Sequence, residues 1–462
     1  MKNITRLAFI SLSTAVISAC ANMSAGNMFS HYSAQNNAVY SAVQSGQYQE
    51  AEELLPDSTA GDILDNMEKG RVTFLNQAYP SSLDYFEQSE IAVREQQDQA
   101  VVSVSESLNS VGALAVNDNL QSYSPADYEL GFLHLYLGLN YLQSNSLEGA
   151  LVEVRKANQV QERAKQKRQD ELDSAEQEMK SNGMSASLGS VLSQYPDAGK
   201  TLQATQNGYL FYLSALLYET ANELNDAYID YKRALAVLPQ NRQVAEGAIR
   251  VAKKLGMSQD LAKLRGQYQE PAALSADEAQ IIVIDEQGTV FARDGWQQSL
   301  PIYGHKGTAF YTLALPYYPN QVTERYNSLK LDDKTLSESK LVDVNLMARQ
   351  DLTERMPAMV MRQALRLVMK EQIRREATNG DELGNLLFNV WNILTEQPDT
   401  RSWQTLPAEV YSSSMVVPAG EHQLDINGRL YDISVKGGRT ALVWISRQGE
   451  GATVWHKQLG TL

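Results

Sequence analysis

Cys20 is the only cysteine in a chain of 462 residues, so it is the single thiol available for covalent chemistry. It closes a short N-terminal run in which Lys2 and Arg6 supply cations, Leu7 to Ile17 an apolar stretch, and Ser18-Ala19 two small residues. The apolar stretch is too short to cross a bilayer as a helix, and the three parts in this order are those of a secretory signal. Elsewhere the chemistry is sparse. The five histidines (His31, His134, His305, His422 and His456) lie far apart in the sequence, so no HExxH or paired-ligand spacing exists. Pro301 to Thr308 sets Lys306 before Gly-Thr but lacks the GxxxxGK[ST] spacing of a phosphate loop. There is no GxSxG serine, and no SxxK accompanied by both SxN and KTG. Aspartate and glutamate are so abundant that no pair suited to glycoside cleavage stands out. The residues nominate no catalytic group and no metal site, and the chain reads as a non-enzyme.

The segment Ile17-Ser18-Ala19-Cys20 resembles the bacterial lipobox, with Ile17 where leucine is commoner. That resemblance implies removal of residues 1–19 as a lipoprotein signal peptide and a covalent lipid on Cys20, palmitate among its chains, with no other cofactor. Ala21, in place of an aspartate, implies an outer-membrane protein facing the periplasm. With the thiol consumed, disulfides and cysteine-ligated zinc are excluded even in an oxidising compartment. Residues 20–37 offer little apolar periodicity and read as a tether. The formal charge of −15 excludes nucleic acid as a partner and leaves the lipid as the only expected membrane contact.

Two domains are expected at this length. From 38 to 270 the pattern is that of an all-α repeat domain. Counting Gly208 as the first position of a 34-residue unit, Phe211, Ala215, Tyr218, Ala227, Tyr231, Ala234 and Pro239 fall at the diagnostic positions of a tetratricopeptide repeat. Small residues there let two antiparallel helices approach, aromatics fill the gaps, and Pro239 ends the second helix. A second copy starts at Gly131, with Gly138, Tyr141, Ala150 and Ala157 in register, and its second helix is expected to run on through 159–179. Weaker copies carry Gly70, Ser82, Phe86 and Ser89, and Gly46 to Ala51. Residues 181–200 read as an inserted loop, and 244–255 and 261–268 as capping helices. A repeat stack presents a concave groove for a peptide or protein. Tyr136, Asn140, Tyr212 and Tyr228 lie off the packing positions and are the candidate partner-binding residues.

From 275 to 462 the texture is that of an α+β domain with a mainly antiparallel sheet. Ile281 to Ile284, the polar Asp285-Glu286-Gln287-Gly288 and Thr289 to Phe291 predict a hairpin. Thr308 to Leu315 predicts a strand, Leu341 to Ala377 a long helix with a kink at Pro357 or a pair of helices abutting there, and Glu382 to Glu396 another helix. Five short strands follow, at 409–417, 422–426, 430–435, 440–445 and 452–456, and the long helices are expected to cover one face of their sheet.

Arg401-Ser402-Trp403-Gln404-Thr405-Leu406-Pro407 and Pro418-Ala419-Gly420-Glu421-His422-Gln423-Leu424 resemble the RSWxxLP and PxGxHxL segments of a family of proteobacterial outer-membrane lipoproteins with tetratricopeptide-like N-terminal halves. The resemblance implies the fold order above and brings no activity with it. Trp403 reads as a plug between helices and sheet, Arg401 as the partner of a nearby acid, and His422 as a hydrogen-bonding residue on a strand. Arg401, Trp403 and His422 together are the candidate C-terminal pocket. The expected function is a protein-binding scaffold or assembly factor in a cell-envelope complex, with a periplasmic or outer-membrane protein partner and a place in a larger or cyclic assembly. The alternatives are a small-molecule or peptidoglycan-binding lipoprotein that regulates cell-wall synthesis, and a cell-wall hydrolase.

Overall fold

The computed structural model describes residues 31–103, 122–163, 185–186, 202–304, 307–378 and 397–460. Cys20, the 104–121 stretch, the 164–184 extension, His305, Lys306 and the expected 382–396 helix lie outside the described residues.

The first half is a series of helical hairpins. After a short α1 (Tyr32–Gln35) come α2 (Asn37–Gln44) with α3 (Tyr48–Glu53), and α4 (Asp62–Leu75) with α5 (Tyr79–Ser103). Next are α6 (Asp127–Gln143) with α7 (147–163), a short α8 (Leu202–Thr205), α9 (Gly208–Thr220) with α10 (Leu224–Val237), and α11 (Arg242–Lys254) with α12 (Ser258–Gln267). The five hairpins turn in the same way. Gly46, Gln77, Asn145, Asn222 and Gly256 each take a left-handed φ between 60° and 75°. At each, that residue and the next donate their N–H groups back into the last turn of the preceding helix, as in Asn222→Glu219 O and Glu223→Tyr218 O. This is the Schellman stop, and it aims the second helix back along the first. The repeat register is borne out by contact. Ala150, Ala157, Ala227 and Ala234 are buried, and a Cβ on Gly70 would strike the Phe86 ring at 2.6 Å.

The second half contains β2 (Glu278–Gln287), β3 (Asp294–Gly304), β4 (Gly307–Tyr317), β5 (Lys330–Leu331), β6 (Lys334–Thr335) and β7 (Ser339–Asp343). Helix α13 (Val344–Thr378) precedes β8 (Glu409–Pro418), β9 (Gly420–Ile426), β10 (Arg429–Val435), β11 (Thr440–Gln448) and β12 (Gly451–Gly460), while β1 is the isolated pair Ser185–Ala186. A five-stranded sheet has the order β12-β11-β2-β8-β7, a four-stranded sheet the order β10-β9-β5-β6, and β1 joins the β3–β4 hairpin. All pairings are antiparallel except β2 with β11. The α+β reading with a mainly antiparallel sheet therefore stands.

Several local expectations are corrected. Residues 281–291 do not form a hairpin. The Ile281–Ile284 run is apolar on both faces, so β2 is a central strand between β8 and β11, and Asp285, Glu286 and Gln287 are buried within it. The 409–460 strands divide between two sheets. Residues 341–343 complete β7, and the long helix starts at Val344 and passes through Pro357. Residues 31–37 of the expected 20–37 tether are part of the fold, because Tyr32 and Asn36 are buried.

The layers follow from the alternation of β2 and β11. Ile282, Ile284, Leu442 and Trp444 face the helical hairpins and share one apolar core with them. Ile281, Val283, Ala441, Val443 and Ile445 face the other way, onto Leu331, Leu424, Ile426 and Ile433 of the four-stranded sheet. Helices, sheet and sheet form three successive layers. A smaller cluster joins α13 to β4 through Leu313, Leu315, Leu352, Met356 and Val360.

The turn of the first hairpin packs backbone to backbone on the β11–β12 turn, with glycine at the closest approach. A Cβ on Gly46 would collide with Gln448 O and with the Gly451 backbone, and one on Gly451 would lie 2.5 Å from Gly46 O. Gly46→Ala therefore adds a backbone clash to the strain of its φ of 75°, whereas Gly61, at φ 92°, faces open space. Urea denaturation should show Gly46→Ala losing about 2–4 kcal/mol and Gly61→Ala about 1–2 kcal/mol. Equal losses would mean that the two turns do not touch.

Candidate functional site

The concave face of the hairpin series is where a partner peptide was expected, and the chain's own strands occupy it. Glu286, on β2, is fully buried. Its Oε2 accepts from Arg71 Nη2 at 2.8 Å and from the Tyr136 hydroxyl at 3.0 Å, and its Oε1 accepts from Tyr209 at 3.2 Å and Trp444 Nε1 at 3.2 Å. Arg71, on α4, is also fully buried, with its guanidinium 4.5 Å from the Tyr136 ring centroid and donating to Ser446 Oγ and Thr405 O. Burial holds the Glu286 carboxyl above the ordinary carboxylate range, and Arg71 with three other donors opposes that push without cancelling it.

Beside this node the 399–406 segment threads along α4 and α6, and three charged side chains hold its main chain. Glu129 Oε1 accepts the Trp403 N–H at 2.8 Å, Glu68 Oε1 accepts the Gln404 N–H at 2.7 Å, and Arg71 Nε donates to Thr405 O at 3.2 Å. Thr405 Oγ1 adds a bond to Glu68 at 2.6 Å, and Tyr32 adds another at 3.3 Å. Burial pushes the Glu68 carboxyl up to about 7 against these donors. Such a shift often marks a catalytic acid. Here the adjoining space is only about 10 Å³, too small for any substrate. Among the described residues no group of three or more His, Cys, Asp or Glu could hold a metal ion, and no helix is long and apolar enough to cross a membrane.

The expected site residues fall into this frame as follows. Tyr136 and Asn140 are buried, the first against Glu286 and the second donating to Ser82 Oγ and Tyr136 O. Tyr212 is buried against Tyr231, and the Tyr228 hydroxyl donates to Asp260 of α12 at 2.9 Å. As placed, none of the four lines an open groove. Tyr136 meets the sheet, Asn140 and Tyr212 pack between helices, and Tyr228 meets the next hairpin.

Trp403 is the expected plug, fully buried between Phe86 and Tyr136. Arg401 pairs with Asp399 through two bonds of 2.8 Å. His422 is not brought to them. It lies on β9 of the other sheet, so the three residues form no common pocket. Its Nδ1 faces Asp332 Oδ2 at 2.5 Å and its Nε2 faces Pro418 O at 2.8 Å. Two acceptors require both ring nitrogens to carry protons. Burial pulls the imidazolium pKa down, and Asp332 and Pro418 O outweigh it, leaving His422 above the ordinary histidine value.

Two clefts among the described residues open on the surface. One of about 490 Å³ runs between the Pro239–Asn241 turn and the edge strand β7. The other, about 640 Å³, is lined by Arg325, Tyr326, Lys330, Asp425, Asn427 and Glu450.

No protein-family model matches this chain, and no curated protein matches it. Among solved structures it is similar to MamA AMB-1, at 13% identity over 50% of this chain and 87% of that one, with a TM-score of 0.28. A second MamA crystal structure aligns at 8% identity over 53% and 91% of the two chains, with a TM-score of 0.30. The TPR2AB domain of yeast Sti1, in its pHSP90 complex, aligns at 10% identity over 50% and 87%, with a TM-score of 0.19. The repeat assignment rests on the hairpin packing and the recurring turn, independently of these likenesses.

Arg71→Met strands Glu286 in the core and should cost about 3–5 kcal/mol in urea denaturation. Adding Glu286→Gln removes the unpaired charge and should recover at least half of the loss; no recovery would mean that the pair is not coupled. A second expectation concerns pH. Because the His422 pKa is raised on folding, its contribution is complete below the ordinary histidine value near 6.5 and is lost as pH rises through the folded value. Thermal midpoints of wild type and His422→Gln should converge as pH rises from 6 to 9, and a constant gap would contradict the doubly bonded imidazolium.

Proposed function

We propose that this chain is an outer-membrane lipoprotein, anchored through Cys20 and facing the periplasm, that acts as a non-enzymatic protein-binding scaffold or assembly factor in a cell-envelope complex. The observation that carries the scaffold reading is the filled concave face. Its charged side chains, Glu68, Arg71, Glu129 and Glu286, hold the chain's own strands, and none opens on a cleft large enough for substrate. What remains for such a body is positioning. A lipid at one end confines it to a surface, and confinement raises the effective concentration of whatever it holds. The protein partner then meets outer faces and seams of the molecule. The lipobox-like Ile17-Ser18-Ala19-Cys20 segment supports the location.

A second reading has its own observation. The 640 Å³ cleft combines Tyr326 with Arg325, Lys330, Asp425 and Asn427, an aromatic and polar lining suited to a sugar or peptidoglycan fragment.

Cell fractionation tests the anchor. Cys20→Ser should leave the membrane fraction and retain an uncleaved signal, and a variant still processed and membrane-bound would remove the lipoprotein reading. Purification of the native protein in detergent separates the two functions: a stoichiometric protein partner supports the scaffold, and a monodisperse monomer that retains sugar supports the second reading.

A further inference from the structure

We propose that Glu68 is a proton-binding site through which pH controls the docking of α1, the first described helix, onto the 400–405 segment. Glu68 is buried where α4, α1 and that segment meet. Three donors reach it: Gln404 N–H on Oε1 at 2.7 Å, the Thr405 hydroxyl on Oε2 at 2.6 Å and the Tyr32 hydroxyl on Oε1 at 3.3 Å. Among the described residues it has no cationic partner. Arg71, one turn further along α4, is committed to Glu286, and Arg401 to Asp399. Lys69 and Asp65 of α4 line the same small space. Lys69 donates to Asp57 O at 2.7 Å, and Asp65 accepts the Thr59, Ala60 and Gly61 N–H groups. From α6, Glu129 accepts the Trp403 N–H. Ahead of α1, His31 Nδ1 faces Thr400 Oγ1 at 3.3 Å and its Nε2 lies 4.0 Å from Asp294.

A carboxylate buried without a counter-charge is driven toward its neutral form by desolvation. The geometry takes either form without moving a heavy atom. Only the Gln404 N–H must donate, since each hydroxyl carries lone pairs as well as a hydrogen. A proton on Oε2 faces Thr405 Oγ1, one on Oε1 faces the Tyr32 hydroxyl oxygen, and Gln404 keeps an acceptor in both cases. Tyr32 belongs to α1, which is seated on the same segment by further bonds. Ser33 N–H donates to Thr400 Oγ1 at 3.1 Å, Gln404 Nε2 to Ser33 Oγ at 2.8 Å, and Asn36 Nδ2 to Gln404 Oε1 at 3.1 Å. Lifting α1 admits water to Glu68 and returns it toward the ordinary glutamate value, so the seated form holds the proton more tightly. Seating is therefore firmest below that ordinary value of 4.5 and weakens by about tenfold per pH unit until about 7. Release of residues 31–36 would add up to ~20 Å of extended chain between Cys20 and the body, a consequence that alone rests on the anchor proposed above.

Hydrogen exchange of the full chain, corrected for the intrinsic rate, tests this at the Asn36 N–H, which bonds Tyr32 O at 2.9 Å. From about pH 5 to about pH 7 its opening constant should rise about tenfold per pH unit in wild type and in His31→Gln. It should stay flat in Glu68→Gln, whose side chain is always neutral. A flat wild type, or an equal slope in Glu68→Gln, overturns the proposal. A slope lost in His31→Gln overturns it too, by assigning the titration to His31. So does an Asn36 N–H that exchanges no faster than the β11 amides, because α1 would then open only with the whole fold. If Glu68→Gln does not fold, carbon-13 titration of the Glu68 carboxyl in wild type decides. A midpoint well above the ordinary glutamate value supports the proton site, and one at or below that value overturns it.

Discussion

The contact between Glu286 and Arg71 sets the terms for the rest of the molecule. Both side chains are fully buried, and their separation is 2.8 Å. A carboxylate in the middle of a sheet face tolerates burial only if its remaining lone pairs are met. Tyr136, Tyr209 and Trp444 meet them, and each comes from a different element. Four structural units, α4, α6, α9 and β11, are thus tied to one residue on β2. A slip of β2 by one residue would turn Glu286 to the opposite face and bring Asp285 to the helices. Asp285 already has its own partner on that opposite face: Arg447 bonds it through Nε at 3.0 Å and reaches Asn327 O at 2.8 Å. Two buried ion pairs on adjacent residues of one strand, facing opposite layers, permit one register only.

Much of this was legible in the sequence, and its limits are instructive. Ala227, Ala234 and Gly70 announced the hairpins because helix–helix contact excludes larger side chains at those positions. Alternation and tight turns announced the 409–460 strands, since their determinants are local. What escaped was non-local. Asp285-Glu286-Gln287-Gly288 reads as a polar turn because nothing nearby in sequence reveals an arginine waiting on α4. Arg71 sits inside an ordinary helical segment and Arg447 near a strand end, without any motif. The one usable signal was the apolar run before Asp285, which already suited a strand buried on both faces. Tyr136 meets Glu286 of the sheet, and Tyr212 packs on Tyr231 between helices. That the concave side would be covered from within the chain was not legible, because repeat positions report the shape of a groove and not its contents.

A filled groove changes what kind of protein this is. The two halves read as separate domains by texture, yet their apolar residues form one core, from Val43 and Phe74 through Trp403 to Trp444. The helices alone would expose the carboxylates of Glu68 and Glu129, and the strands alone would expose Trp403 and Trp444. Each half is the other's solvent shield. The 399–406 segment shows how closely they are fitted: consecutive backbone groups of Trp403, Gln404 and Thr405 are met by side chains from two different hairpins.

The parallel pairing of β2 with β11 has a consequence for how the chain comes into being. Glu286 and Trp444, neighbours in the sheet, are separated by 158 residues of sequence. Strand β2 must therefore wait, with both apolar faces and both hydrogen-bonding edges open, until β8 at 409–418 and then β11 at 440–448 have followed. Contacts of such long range are slow to form and leave adhesive intermediates in the interval. The hairpins can coil locally as they appear, but their inward face stays uncovered until the C-terminal strands arrive. Strands β11 and β12 close the assembly that the early hairpins begin, and Gly46 against Gly451 is where the two meet.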